Sequence, residues 1–383
     1  MAGTYSLTVT VAGCTSPVAT TTVVVNPTPA APTAGSNSPV CAGATINLTS
    51  NTVAGATYSW TGPSAFSSAL EDPSIASATA AMAGTYSLTV TVGGCISPIA
   101  TSTVVVNPIP AAPTAGSNSP VCTGATILLT SNTIAGATYS WTGPAAFASA
   151  LEDPTRPAAT LVMAGTYSLT VTVLGCTSPV ATTTVVVNPT PAAPTAGSNS
   201  PVCVGATINL TSNTVAGATY SWTGPSAFSS ALEDPSIASA TLAMAGTYSL
   251  TVTVAGCASS VATTTVVVNP IPATPTVGSN SPICVGATLN LTTPAVAGAT
   301  YLWTGPNSFS SALQNPTIAG ATALATGTYS ITVTVLGCTS AIGTVAVTVN
   351  SAPVSPTASS NTPVCTGDSL LLSASTIAGA TYS

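Results

Sequence analysis

The chain has 383 residues, of which 45% are apolar and 2% charged; a single Arg, with no Lys and no His, stands against seven carboxylates for a net charge of −6. With one basic side chain to set against phosphates, nucleic acid is all but excluded as a partner. An apolar, Val- and Thr-rich composition is the reverse of what keeps a chain disordered, and no apolar run is long enough to cross a bilayer as a helix.

In chain order, the first segment, Gly3–Cys14 (GTYSLTVTVAGC), alternates apolar with polar residues in the two-residue period of a strand with one buried face. It returns almost letter for letter at Gly84–Cys95, Gly165–Cys176, Gly246–Cys257 and Gly327–Cys338, each start 81 residues after the last. A strand repeated at that interval makes the chain an array of β-domains. Met1 is in phase with Met82, Met163 and Met244. It therefore reads as a cut through a longer array as much as a true start, and no signal peptide precedes the strand.

Residues 1–26 are expected to hold the last two strands of a partial domain. A Pro-dense joint follows, Asn26–Pro32, repeated at Asn107–Pro113, Asn188–Pro194 and Asn269–Pro275 and altered at Asn350–Pro356. Such segments suit short, semi-rigid linkers, which sets domains at 27–107, 108–188, 189–269 and 270–350, and the first strands of another at 351–383. Within the first complete unit, Thr33–Pro39 reads as a weak edge strand, Ser38–Gly43 as a turn, and Thr45–Thr49 as a strand with Ile46 and Leu48 inward. Ala56–Trp60 is a strand with Tyr58 and Trp60 on one face. Ser64–Ala83 is less regular, with two short strands around Glu71-Asp72-Pro73. Tyr86–Val92 and Thr101–Val106 close the unit as a hairpin pair. About seven short strands with frequent turn signals is the pattern of a two-sheet sandwich.

The fold class is thus all-β, with tandem sandwich domains. Val40-Cys41-Ala42-Gly43, Tyr58-Ser59-Trp60-Thr61-Gly62-Pro63, Ala83-Gly84-Thr85-Tyr86 and Gly94-Cys95-Ile96-Ser97, in this order, resemble the Ig-like or PKD-like repeats of giant secreted and surface proteins of Bacteroidota-type bacteria. The resemblance spans the chain and implies an adhesin stalk or surface filament. One departure matters: the cysteines do not sit where an antibody domain places its pair beneath the Trp.

The ten cysteines in fixed phase point to disulfides and an oxidising, extracellular setting, with buried free thiols as the alternative. In a sandwich of the resembled type the second and sixth strands run parallel, so Cys41 and Cys95 lie at opposite ends of their domain. That topology implies the inter-domain bonds Cys41–Cys176, Cys122–Cys257 and Cys203–Cys338, each clamping a joint, with Cys14, Cys95, Cys284 and Cys365 pairing outside this stretch of sequence. Pairing within a domain, Cys41 with Cys95, stays open and would require another topology.

The remaining chemistry is sparse. Glu71-Asp72, Glu152-Asp153 and Glu233-Asp234 are neighbours on an extended chain and point to opposite sides, and the fourth unit has Gln314-Asn315 instead. They read as solvated loops rather than as an acid–base pair or a calcium cage, and a Ser or Thr nucleophile lacks a base. No catalytic residue, cofactor or metal is expected. Trp60, Trp141, Trp222 and Trp303 read as core, with sugar stacking the alternative. Tyr86, Tyr167, Tyr248 and Tyr329 read as tyrosine corners. Outward rows of Ser and Thr, with almost no charge to guard against association, suggest lateral contacts between chains. The sequons at Asn47, Asn209 and Asn290 add glycans as a weak further candidate.

The expected function is a structural segment of an extracellular fibre or adhesin stalk, supplying length, stiffness and protease resistance. Its domains would each span on the order of 35–40 Å. Its expected partners are neighbouring copies or further repeats of one long chain. The alternative is an array of carbohydrate-binding or cell-adhesion modules.

Overall fold

The computed structural model describes residues 1–383 in full. Apart from one short 3₁₀ turn in each complete repeat, its regular structure is all strand. Contacts divide the chain into two units, Met1–Thr190 and Pro191–Ser383.

In the first unit, the repeat around Trp60 shows how the sequence builds a sandwich. Ile46–Ser50 is the centre of a three-stranded sheet, flanked antiparallel by Ala34–Ser36 and by Ser74–Ile75. The facing sheet runs Phe66–Ser68, Thr57–Gly62, Gly84–Val92, Ala100–Val104, all antiparallel. Alternation along Gly84–Val92 aims Tyr86, Leu88 and Val90 into the space between the sheets, and each is fully buried. Leu88 lies opposite Trp60 across the ladder, and Ile46 and Leu48 meet them from the other sheet. Burying a side chain of this size contributes about 1.5–3 kcal/mol, so a few such residues hold a domain whose surface carries little charge. This is an Ig-like β-sandwich, and the chain is a tandem array of them.

The same core recurs around Trp141 in the first unit and around Trp222 and Trp303 in the second. The outer segments Met1–Asn26 and Ser351–Ser383 have paired strands, Gly3–Leu7 with Ala19–Val23 and Ala358–Ser360 with Leu372–Ala374, but no enclosed core. Tyr5 and Leu372, in phase with buried Tyr86 and Leu48, are 50% and 76% exposed.

The structure corrects one reading of the sequence. Ser38–Gly43 is not simply a turn: Val40–Cys41 forms a short parallel pairing with Val106–Asn107. Val40 donates its N–H to Val105 and Ala42 donates to Asn107, so the backbone stays extended while the chain changes sheets. A two-residue strand has too short a pattern to show a period. The pairing nevertheless fixes Cys41 beside the last residue of the domain.

Candidate functional site: the disulfide-clamped joint

Three parts converge where one sandwich meets the next. The first is the two-residue turn after the long strand Gly165–Val173. Leu174 and Gly175 both have positive φ, 49° and 79°, which closes a tight hairpin and sets Cys176 opposite Val173. Gly is at ease there, whereas Leu174 adopts the left-handed conformation at a cost of about 1–2 kcal/mol. The second part is the end of the preceding domain, where Val106–Asn107 holds Cys41 in register. The third is Asn107 itself.

Cys41 and Cys176 are bonded, with α-carbons 5.6 Å apart and a sequence separation of 135. The Asn107 side chain is buried, and its amide donates to the carbonyl of Leu174 at 3.0 Å. Its backbone oxygen lies 3.9 Å from the Cys176 sulfur. A buried polar group is costly unless paired, so this bond fixes the turn against the end of the previous domain.

The second unit repeats the arrangement. Cys203 and Cys338 are bonded with α-carbons 5.6 Å apart, buried Asn269 donates to the carbonyl of Leu336 at 3.1 Å, and Leu336 has φ 49°. At the start of the first unit, Asn26 donates to the carbonyl of Gly93 at 2.7 Å, and the Cys95 thiol reaches the backbone oxygen of Asn26 at 3.4 Å. The free thiols are Cys14, Cys95, Cys284 and Cys365; Cys122 and Cys257 are not among them. The asparagines are the functional residues that sequence reasoning missed. Their signal was present: Asn occupies the same phase at 26, 107, 188, 269 and 350, immediately before a Pro or Ser.

The other singled-out residues serve the interior. Trp60, Trp141, Trp222 and Trp303 are wholly buried and present no face to a ligand. Each indole N–H donates to the loop carbonyl of Glu71, Glu152, Glu233 or Gln314, at 3.0–3.1 Å. In the same loops, Asp72, Asp153 and Asp234 accept the backbone N–H of Ser50, Ser131 and Ser212, a role that Asn315 takes with Thr293 in the fourth repeat. Glu71 accepts the Thr52 hydroxyl. The acidic pairs therefore tie down their own loops, and the amide pair at 314–315 does the same without charge.

Tyr86 donates its hydroxyl to the carbonyl of Met82 at 2.9 Å, and Tyr167, Tyr248 and Tyr329 do likewise to Met163, Met244 and Ala325. Burial pushes the phenols of Tyr86, Tyr248 and Tyr329 above their ordinary range. Gly62 is required beneath the ring, since a Cβ there would overlap Tyr86. No helix is long and apolar enough to cross a membrane.

No family model matches the sequence, and no curated protein does. Among solved structures, the chain is similar to immunoglobulin domains 1–5 of Sidekick-1, at 14% identity and a TM-score of 0.26, covering 83% of this chain and 79% of that one. It is also similar to extracellular domains 3–5 of Drosophila OTK, at 12% identity and a TM-score of 0.29, covering 62% and 95%. A third similarity is to the N-terminal eight Ig domains of Down Syndrome Cell Adhesion Molecule, at 14% identity and a TM-score of 0.22, covering 90% of this chain and 57% of that one.

Proposed function

We propose that this chain is a structural segment of an extracellular fibre or adhesin stalk, of the kind built from repeats in giant surface proteins of Bacteroidota-type bacteria. The single observation that carries the reading is the covalent joint. A Pro-rich linker alone lets two sandwiches swivel. Here Cys41–Cys176 closes a ring with the Asn107–Pro113 linker on one side, and Asn107 packs the turn into the same contact. The repeat of this device at Cys203–Cys338 supports stiffness as the property being built. The four free cysteines, Cys14, Cys95, Cys284 and Cys365, continue the series into further repeats or neighbouring copies. Disulfides of this kind belong to an extracellular or surface location.

Protease resistance follows from the same features. Trypsin-like enzymes need an accessible Lys or Arg, and the one Arg, Arg156, has its guanidinium tied to Pro144 and Tyr167. The chain is read as non-catalytic, because its carboxylates are engaged in holding their own loops and it has no His or Lys to activate a Ser or Thr hydroxyl. Small-angle X-ray scattering of the full chain, oxidised and then reduced, tests the proposal. Oxidised material is expected to scatter with little inter-domain flexibility and to become markedly more flexible on reduction. Flexible-chain scattering in the oxidised form would overturn it, and would favour an array of independently moving adhesion modules.

A further inference from the structure

The second and fourth repeats differ at one end of the sandwich, and the difference leaves a cavity in the fourth. In the second repeat the only basic side chain of the protein, Arg156, lies in the short strand Thr155–Arg156. Its Nη1 donates to the carbonyl of Pro144 at 3.0 Å and to the hydroxyl of Tyr167 at 2.7 Å. The guanidinium carbon sits 4.7 Å from the centre of the Phe147 ring and 5.8 Å from that of Tyr167. Two neutral acceptors and two aromatic faces thus hold one guanidinium without a carboxylate.

The fourth repeat keeps these walls as Pro306, Phe309 and Tyr329, with the two rings in the same edge-to-face relation, 5.4 Å between centres. Ile318 stands where Arg156 would be, and Ala325 stands where the other repeats have Met82, Met163 and Met244, each packed against its core. Removing both long side chains leaves a cavity of about 240 Å³ lined by Pro306, Phe309, Ile318, Ala325 and Tyr329. The Tyr329 hydroxyl donates to Ala325 at 3.1 Å, which leaves its lone pairs to accept.

We propose that this cavity binds a guanidinium group. The second repeat shows that these walls accept one, and the fourth repeat offers the same walls with the space vacated. Arg156 is engaged inside its own domain and no other Arg exists in the chain, so the ligand comes from a different molecule. It is either the arginine side chain of a partner protein or a small free guanidine. Attraction rests on ring faces and neutral acceptors, so binding is weak and changes little with salt.

Methyl-labelled isoleucine NMR of the full oxidised chain tests this, with methylguanidinium in one arm and an acetylated, amidated Ala-Arg-Ala peptide in the other. The Ile318 methyl is expected to shift saturably, with half-saturation on the order of 1–10 mM. Ile75 and Ile237, at the same position in the first and third repeats, are expected to stay still. Saturation by methylguanidinium alone identifies a small guanidine as the source; saturation by the peptide as well identifies an arginine side chain. Saturation by neither, or equal shifts at Ile75, Ile237 and Ile318, overturns the proposal. Ala325→Met restores the residue of the other repeats, and Ile318→Arg supplies an internal guanidinium. Ala325→Met should weaken the Ile318 response at least about tenfold, and an unchanged response in that folded variant would also overturn the proposal. Ile318→Arg lacks the reporting methyl and is read instead by loss of saturable shifts in labelled methylguanidinium.

Discussion

Removing the Cys41–Cys176 bond by replacing both residues with Ala tests the joint directly, and its effect follows from where the chain is held. Suppose the 108–188 domain unfolds while 27–107 stays folded. Cys41 remains fixed beside Asn107 by the parallel pairing, so the unfolded loop that the disulfide closes runs from Asn107 to Cys176, a separation of 69 residues. Closing a loop of that length restricts the unfolded chain by about 4 kcal/mol in the chain-entropy description. If instead the 27–107 domain unfolds, the loop runs from Cys41 to Asn107 and is of similar length, so the two domains gain almost equally. With both domains unfolded the loop is 135 residues and the total only about 5 kcal/mol, so the two share it at about 2.5 kcal/mol each. At about 4–8 °C per kcal/mol for domains of this size, the pair should melt roughly 10–20 °C lower without the bond. The assay is calorimetry of the full chain. Two of the four cored sandwiches carry the deleted bond, so about half of the unfolding enthalpy should move down while the 270–350 transition keeps its place. A fall of less than about 5 °C would refute the loop argument and leave Asn107 and the packed turn as the source of joint stability. A shift of the whole enthalpy would refute the premise that the domains unfold one by one.

Four further outcomes are expected. Thiol titration of denatured, unreduced chain should find four reactive cysteines per molecule, Cys14, Cys95, Cys284 and Cys365; six would mean that Cys122 and Cys257 are reduced. Asn269→Ala should cost about 1 kcal/mol and act on the joint of the second unit, read by calorimetry as a lower 270–350 transition, because the carbonyl of Leu336 loses its donor. Trp222→Ala should cost about 3–5 kcal/mol by emptying the centre of its core, measured by denaturant midpoint. The raised phenols of Tyr86, Tyr248 and Tyr329 hold their protons more tightly folded than unfolded, so their contribution is complete below the unfolded tyrosine range near pH 10 and is lost as pH climbs through the raised values; melting temperature against pH should fall on that alkaline side.

The fold was legible because its signals are periodic and repeated. Alternation over Gly84–Val92 has enough residues to show its period, and the copies at 81-residue intervals confirm each other. The inward set Tyr86, Leu88, Val90 follows from that alternation, and so does Trp60, which the ladder places opposite Leu88. Tyr58 marks the edge of the method. It shares a face with Trp60 but is only half buried, since its hydroxyl reaches out to accept the N–H of Val53. Alternation fixes a side of the sheet and not a depth along it.

The joint was less legible for a different physical reason. Asn107 acts through a side-chain bond to Leu174, a residue 67 positions away, and nothing in the local pattern of either segment requires the other. Asn before Pro reads as an ordinary linker start, and a Leu in a hairpin turn reads as an irregularity. Each makes sense only with its partner: the left-handed Leu174 carbonyl needs a donor, and a buried amide needs an acceptor. In the first repeat the turn residue is Gly93, which bears no such strain, yet Asn26 makes the same bond to it. The bond therefore does not exist to rescue a strained leucine. It holds the turn against the preceding domain whatever residue occupies the turn, which is what a joint requires if its cysteines are to stay within bonding distance.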